Sequence, residues 1–152
     1  MKIKAIFPFL AFLIFFTVIP NVNGQDSYNV FTLEYFKQSL ESLMIGDYDN
    51  AIRNSTFVIN RDPNSSVAYT IRGRAYFEKG DMTNAIRDCS QAVNLDRNNI
   101  SALSVRANAY VKTNDMNRAI ADWRTILRLN PDNESASHNI ELARGLQSVQ
   151  QD

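Results

Sequence analysis

Apolar residues between positions 67 and 95 follow two successive helical patterns. The second pattern has the i, i+1, i+4, i+7, i+8 spacing of one buried helix face, and its members are Ala85, Ile86, Cys89, Ala92 and Val93. The first pattern covers residues 67–79, where apolar or small side chains recur at intervals of four and three. Between the two patterns, Gly80 and Asp81 form a turn signal. The stretch therefore predicts two helices joined by a tight turn.

This helix pair occurs three times, with a period of 34 residues. The motif GDYDNAI at residues 46–52 returns as GDMTNAI at 80–86 and as NDMNRAI at 114–120. We place the three repeats at residues 32–65, 66–99 and 100–133. A single helical hairpin of this size cannot bury its own apolar face, so the repeats are expected to stack on one another.

Polar residues that can accept a hydrogen bond from free helix amides mark the expected helix starts. For the second helix of each repeat these residues are Asp49, Thr83 and Asn117. The first helices of repeats two and three and the helix after repeat three have Ser65, Asn99 and Asn133 in the corresponding place.

The repeat resembles the tetratricopeptide repeat. The resemblance rests on the period and on small, aromatic and proline residues at matching places, which are Gly73, Ala107, Ala75, Tyr76, Ala109, Tyr110, Ala85, Ala119, Pro63 and Pro131. It implies an all-α fold, an α-solenoid in which three antiparallel helix pairs stack as a right-handed superhelix. The first helices would line a concave groove that binds partner proteins or peptides. The first repeat matches least well, because Ser39 stands where the family has glycine.

The resemblance also implies which residues line the groove. Carried onto this sequence, they are Phe36, Leu40, Leu43 and Met44 in repeat one, Thr70, Arg74, Phe77 and Glu78 in repeat two, and Ser104, Asn108, Val111 and Lys112 in repeat three. The groove is therefore expected to be apolar at the repeat-one end and polar, with mixed charge, at the other end. Family members that hold a C-terminal carboxylate use lysine and asparagine in repeat one, where this chain has Phe36 and Leu40.

Residues 134–152 predict one further helix and a short tail. An apolar stripe is formed by Ala136, Ile140, Ala143 and Leu146. Because the terminal units of a solenoid need a polar outer face, we interpret residues 134–150 as a capping helix. The alternative is the first helix of a degenerate fourth repeat, but Glu141 stands where that helix would need a small residue.

Two Arg–Asp combinations recur at the repeat period. Arg72 and Asp88 of repeat two correspond to Arg106 and Asp122 of repeat three, whereas repeat one has Gln38 and Asn54 in the same places. Charges that are kept or lost together indicate a contact between the two helices of a hairpin, because an unpaired buried charge costs about 3–5 kcal/mol. We expect a structural ion pair in repeats two and three and an amide–amide contact in repeat one.

The sequence offers no catalytic or metal-binding constellation. Cys89 lies on the buried stripe of a helix, where a thiol is unreactive, and a nucleophilic pair with His138 would lack a third orienting group. One cysteine and one histidine cannot supply the three or four ligands of a typical zinc site. Phosphate-binding loops, dinucleotide-binding turns and nucleophile elbows do not occur. We therefore predict a protein that is not an enzyme and has no cofactor.

The first 24 residues have the layout of a secretory signal peptide. Lys2 and Lys4 precede about fifteen mostly apolar residues, and Pro20 and a polar stretch follow. Cleavage is expected between Gly24 and Gln25, which leaves residues 25–31 as a short tether. The alternative, an uncleaved anchor, is disfavoured because a membrane-spanning helix needs roughly 20 apolar residues.

Removal of residues 1–24 would leave 14 basic and 16 acidic residues, a net charge of −2, which gives no electrostatic footprint for nucleic acid. We expect an exported protein, periplasmic or secreted, that binds a protein or peptide partner. The alternative is a structural subunit that self-associates in an envelope or secreted assembly, in one version held by the uncleaved anchor.

Four N-x-S/T sequons, at Asn54, Asn64, Asn99 and Asn133, fit turn and cap chemistry better than glycosylation.

Overall fold

Seven α-helices and no strand occupy residues 24–149, the part of the chain that the computed structural model describes. In chain order they are α1 (Gly24–Met44), α2 (Tyr48–Arg61), α3 (Ser66–Glu78), α4 (Met82–Leu95), α5 (Ile100–Lys112), α6 (Met116–Leu129) and α7 (Glu134–Val149). The all-α prediction is confirmed. None of the described helices is both long and apolar enough to cross a membrane.

The first helix starts earlier than the repeat pattern predicts. It begins at Gly24, so residues 25–31, expected as a tether, are helical. Residues 25–45 contain no glycine or proline, and the sequence therefore has no signal to stop the helix before Gly46. The chain divides into two compact units, Met1–Phe31 and Thr32–Asp152, and the packing described below belongs to the second unit. The predicted signal peptide lies almost wholly outside the described residues.

The second helix of every repeat is capped by the recurring aspartate. The Asp81 carboxylate accepts a hydrogen bond of 3.0 Å from the backbone N–H of Asn84. Its period-mates Asp47 and Asp115 make the same bond. The predicted start at Thr83 was wrong by two residues, because the carboxylate of the turn residue reaches forward to the first free amides. Hydrogen bonds from Asn84 lower the pKa of Asp81, since they stabilise the ionised form.

The predicted caps of the first helices are confirmed, as is the cap of α7. Ser65, Asn99 and Asn133 accept hydrogen bonds from the backbone N–H groups of Ala68, Ala102 and Ala136, at 3.3, 2.9 and 2.9 Å. Each hairpin turn contains one residue with positive φ: Gly46 at 80°, Gly80 at 83° and Asn114 at 60°. Asparagine tolerates this left-handed conformation better than other residues with a side chain, which explains why repeat three can dispense with glycine.

Small residues recur among the fully buried positions of the stacked helices. Fully buried alanines, each with 0% exposure, are Ala51, Ala68, Ala75, Ala85, Ala92, Ala102, Ala107, Ala109 and Ala119. Larger side chains fill the space beside repeat three, where Leu103, Trp123 and Ile126 join one buried cluster with residues of α7. The alanines let neighbouring helix backbones approach closely, and the large residues fill the remaining volume.

The C-terminal helix covers the open end of repeat three, as expected of a capping helix. Its Ala136, Ile140 and Ala143 are buried in the same cluster as Trp123. Leu146 was predicted to share this buried stripe, but 46% of it is exposed. The prediction fails because Leu146 lies one turn beyond the last buried contact, where the helix extends past the core.

Gly73 lies at a close contact between helices α3 and α4. A Cβ atom placed on Gly73 would lie 2.7 Å from Cys89 Sγ, 3.3 Å from Cys89 N and 3.4 Å from Ala85 O. Two of these three neighbours are backbone atoms, which cannot move away without shifting the helix. Glycine at this position therefore sets the distance between the two helices of repeat two.

Substitution Gly73→Ala should lower the free energy of unfolding by about 1–3 kcal/mol, because the added methyl group overpacks the α3–α4 contact. The matched control is Gly145→Ala in α7, where a Cβ atom would meet nothing within 4 Å. That change should instead raise stability by about 0.5–1 kcal/mol through the higher helix propensity of alanine. Urea unfolding followed by circular dichroism measures both effects. Equal effects of the two substitutions would contradict the packing argument.

Candidate functional site

Three neighbouring cavities lie along the first helices and α7, and together they make up the candidate groove. The central cavity, between α3 and α5, has a volume of about 280 Å³. It shares Arg74, Ser101 and Val105 with an N-terminal cavity of about 280 Å³. It shares Asn108 with a C-terminal cavity of about 110 Å³ beside α7. Because neighbouring cavities have residues in common, one extended ligand could contact all three.

The central cavity contains five of the residues predicted for the groove, which are Arg74, Phe77, Glu78, Ser104 and Asn108. Its charged residues compensate one another, since Arg74 Nε lies 3.2 Å from Glu78 Oε1 on the same helix. Both side chains are accessible to solvent, so the pair can be rearranged by a ligand at little cost. Phe77 also packs against the buried cluster of α4 and α5, and it therefore has a structural role as well.

The N-terminal cavity is the apolar end that the sequence predicts. It is lined by the predicted residues Leu40, Leu43 and Thr70, together with Val67, which is 51% exposed. The hydroxyl of Thr70 is already engaged, because Oγ1 accepts a 2.9 Å hydrogen bond from Asn99 Nδ2 and donates one to Ser66 O. Thr70 therefore offers a ligand mainly its methyl group.

The C-terminal cavity shows that the expected polarity gradient is wrong. The predicted residues Asn108 and Val111 meet Leu142 and Leu146 of α7 there, and these leucines are 57% and 46% exposed. The groove is thus apolar at both ends and less apolar in the middle. The sequence analysis interpreted α7 as a capping helix and assigned none of its residues to the groove. The repeat period could have identified a groove residue in α7, since Leu142 lies one period of 34 residues after the groove residue Asn108.

Three residues predicted for the groove line none of these cavities. Phe36 packs instead against the buried cluster of Val58, Ile59 and Ala68, together with Tyr35 and Tyr69. Met44 is 84% exposed at the C-terminal end of α1, beyond the cavity. Lys112 is exposed at the C-terminal end of α5, also beyond the cavity.

Each of repeats two and three contains a bidentate Arg–Asp ion pair between its two helices. Arg72 Nε and Nη2 donate to Asp88 at 2.6 and 3.1 Å. Arg106 makes the same two contacts with Asp122, at 2.8 and 2.7 Å. The side chain of Asp88 is only 2% exposed. The pairs therefore belong to the hairpin interface, on the side of the helices away from the groove.

Each arginine also connects its hairpin to the preceding repeat. Arg72 Nη1 donates to Thr56 Oγ1 at 3.0 Å, and Arg106 Nη1 donates to Ser90 Oγ at 3.1 Å. Burial by itself lowers the pKa of Arg72, but the hydrogen bonds and charge of Asp88 outweigh it and leave that pKa raised. Both guanidinium groups consequently remain charged and hold three elements together.

Repeat one does not form the expected amide–amide contact. Gln38 Nε2 donates instead to Glu34 Oε1 on its own helix, at 3.1 Å. This bond is exposed, and without a buried charge at either position nothing requires the side chain to reach across the hairpin.

The single cysteine is unsuited to nucleophilic chemistry. Cys89 is fully buried, and burial raises the pKa of its thiol to about 12. His138, the other member of the pair considered above, is exposed on α7. Among residues 24–149, no group of three His, Cys, Asp or Glu side chains could hold a metal ion.

Comparison with known proteins agrees with this architecture. Family models described as TPR repeat and tetratricopeptide repeat match residues 73–114 and 100–133. No curated protein sequence matches. The chain therefore contains tetratricopeptide repeats. Its family resemblance and its solenoid fold are thereby confirmed.

Three solved structures illustrate the similarity. The first TPR of Spaghetti (RPAP3), bound to the HSP90 peptide SRMEEVD, is 28% identical with a TM-score of 0.74, covering 77% of this chain and 93% of that one. The first TPR domain of human RPAP3 is also 28% identical with a TM-score of 0.74, covering 79% and 94%. The second TPR domain of human RPAP3, in complex with the HSP70 peptide SGPTIEEVD, is 25% identical with a TM-score of 0.72, covering 76% and 97%.

Substitution Asp88→Ala should lower the free energy of unfolding by about 3–5 kcal/mol, because it leaves the Arg72 guanidinium largely buried without its carboxylate. The double substitution Arg72→Gln/Asp88→Asn, which introduces the residues of repeat one, should cost less than the two single changes added together. The exposed pair is the control: Arg74→Ala should change stability by about 1 kcal/mol or less. Denaturant unfolding of the variants gives all the values, and a similar loss for Asp88→Ala and Arg74→Ala would refute the assignment.

Proposed function

We propose that this protein is a non-enzymatic interaction module that binds a peptide segment of a partner protein in its groove. The observation that carries the proposal is that the central cavity shares lining residues with the cavity on each side of it. The similar domains of RPAP3 support it, because two of them are described with bound peptides, one from HSP90 and one from HSP70. A groove of linked cavities on a rigid helical scaffold suits recognition of an extended chain.

The groove of this chain favours a different peptide from the acidic HSP90 and HSP70 peptides of those two structures. Phe36 and Leu40 stand where carboxylate-binding family members have lysine and asparagine, and the positive charge of Arg74 is compensated by Glu78. Apolar side chains dominate both ends, with Leu40 at one and Leu142 at the other. We infer a ligand with two apolar anchors separated by polar residues. Packed helices lie roughly 8–10 Å apart, and we place the two anchors two such helix spacings apart. That distance corresponds to about five or six residues of an extended peptide.

Substitution Asn108→Trp tests the groove, because Asn108 is exposed and lines both the central and the C-terminal cavity. Selection from a phage-displayed random peptide library on the immobilised protein should enrich peptides with two apolar anchors. The variant should enrich none of them, because the indole ring blocks the passage between the cavities. The matched control, Asn94→Trp, changes an exposed asparagine on α4 outside the groove and should leave enrichment unchanged. Circular dichroism checks that both variants keep their helicity.

Two results would refute this proposal. One is enrichment that survives Asn108→Trp. The other is a salt-resistant dimer of the unmodified protein that enriches no peptides, since that behaviour fits the alternative of a self-associating structural subunit.

We further propose that the protein is exported. The support is the charged, apolar and polar order of residues 1–24, which is typical of a signal peptide. An exported chain without a disulfide must derive its stability from its core alone, and the only cysteine of this sequence is fully buried.

N-terminal sequencing of the protein isolated from its native source should begin at or near Gln25, because a signal peptidase removes the preceding segment. Replacement of Leu13 and Ile14 by arginine should abolish export, since it interrupts the apolar segment. A native protein that begins at Met1 would contradict cleavage and favour the anchor.

A further inference from the structure

A fourth cavity lies on the opposite side of α5 from the groove. It has a volume of about 510 Å³ and is lined by residues of α4, α5, α6 and the α4–α5 turn. Leu103 and Arg106 face it from α5, whereas Ser104 and Asn108 face the groove. Residues three or four apart share one side of a helix, so this cavity and the groove lie on different sides of α5. We call this one the arginine cavity, after Arg97, Arg106 and Arg128 in its lining.

Two of the three arginines have no compensating carboxylate. Arg106 is neutralised by Asp122, which also lines the cavity and accepts both hydrogen bonds of the pair. No ion pair within 4.0 Å involves Arg97 or Arg128 in the described part of the chain. Both are exposed. The cavity therefore has about two uncompensated positive charges at neutral pH.

The repeat itself shows that the scaffold does not need these two residues. The positions that correspond to Arg97 in the other repeats hold Pro63 and Pro131. Asn94 is the counterpart of Arg128 in repeat two. Only the junction between repeats two and three combines the two arginines with a cavity of this size among the described residues.

Nearby polar groups hold Arg128 in place. Arg128 Nη2 donates to Thr125 Oγ1 at 3.1 Å, and Thr125 Oγ1 in turn donates to Ala121 O at 3.1 Å. This hydrogen bond uses only one of the donors of the guanidinium and leaves the others available. Asn98 also lines the cavity, and its side-chain amide can add a neutral donor.

We propose that the arginine cavity binds a phosphate group. Two guanidinium groups without acidic partners match the charge of about −1.5 to −2 that a phosphate monoester carries at pH 7. Arginine forms paired, charge-assisted hydrogen bonds to phosphate oxygens. The group can come from free inorganic phosphate or from a phosphorylated side chain of a partner. The site is separate from the groove and does not depend on the function proposed for it.

Isothermal titration calorimetry of the purified full chain with inorganic phosphate, against chloride at equal ionic strength, tests the site. Arg97→Pro and Arg128→Asn introduce the residues of the other repeats, and each should weaken phosphate binding about tenfold or more. Arg97→Pro should fold normally, because the turns that contain Pro63 and Pro131 have the same closing hydrogen bond, at 3.2 Å in both against 3.1 Å here. The control Arg124→Asn removes an equal charge from α6 outside the cavity and should not change the affinity.

A phosphoserine peptide and its unphosphorylated form identify the source of the phosphate. Binding of the phosphorylated form alone, lost in both variants, assigns the site to a phosphorylated partner. Binding of inorganic phosphate alone assigns it to the free ion. The proposal is overturned if neither ligand binds, if both variants bind phosphate as tightly as the unmodified chain, or if Arg124→Asn weakens binding as much as they do.

Discussion

Each helical hairpin of this protein has an apolar face that only its neighbour in the stack can cover. The buried alanines of every repeat show how that requirement is met, since they allow the helices to approach until little space remains. Gly73 is the extreme case, because even one added carbon atom would collide with Cys89. Close stacking in turn fixes the positions of the side chains at the edges of the helix contacts. These include the side chains that line the groove and the arginine cavity.

Close packing also explains the position of the charged residues. The carboxylates of Asp88 and Asp122 are buried between helices, where an unpaired charge would be strongly unfavourable. Arg72 and Arg106 satisfy them and at the same time bond to Thr56 and Ser90 of the preceding repeat. The ion pairs thus connect successive hairpins. Arg97 and Arg128 lie near one of these pairs but outside the packed interface, so their charges remain available to a ligand.

Alternation of helices gives the solenoid two chemically different surfaces. The first helices and α7 form a groove that is apolar at both ends, with the compensated pair of Arg74 and Glu78 near its centre. The other side of α5 presents a cavity with excess positive charge. One short chain can therefore offer separate sites to an apolar peptide segment and to an anion, because the two sites lie on different sides of α5.

The sequence by itself determined the period, the hairpins, the first-helix caps and the pairing of Arg72 with Asp88, because each depends on contacts within one repeat or on a residue that recurs every 34 positions. Only the tertiary structure decided the rest. It placed Phe36 against a buried cluster that includes Ala68 of repeat two, and it brought Leu142 and Leu146 of α7 to the groove. The physical reason is that periodicity tells which side of a helix faces its own hairpin. It does not tell which side chains of neighbouring repeats meet, since that depends on how the hairpins stack.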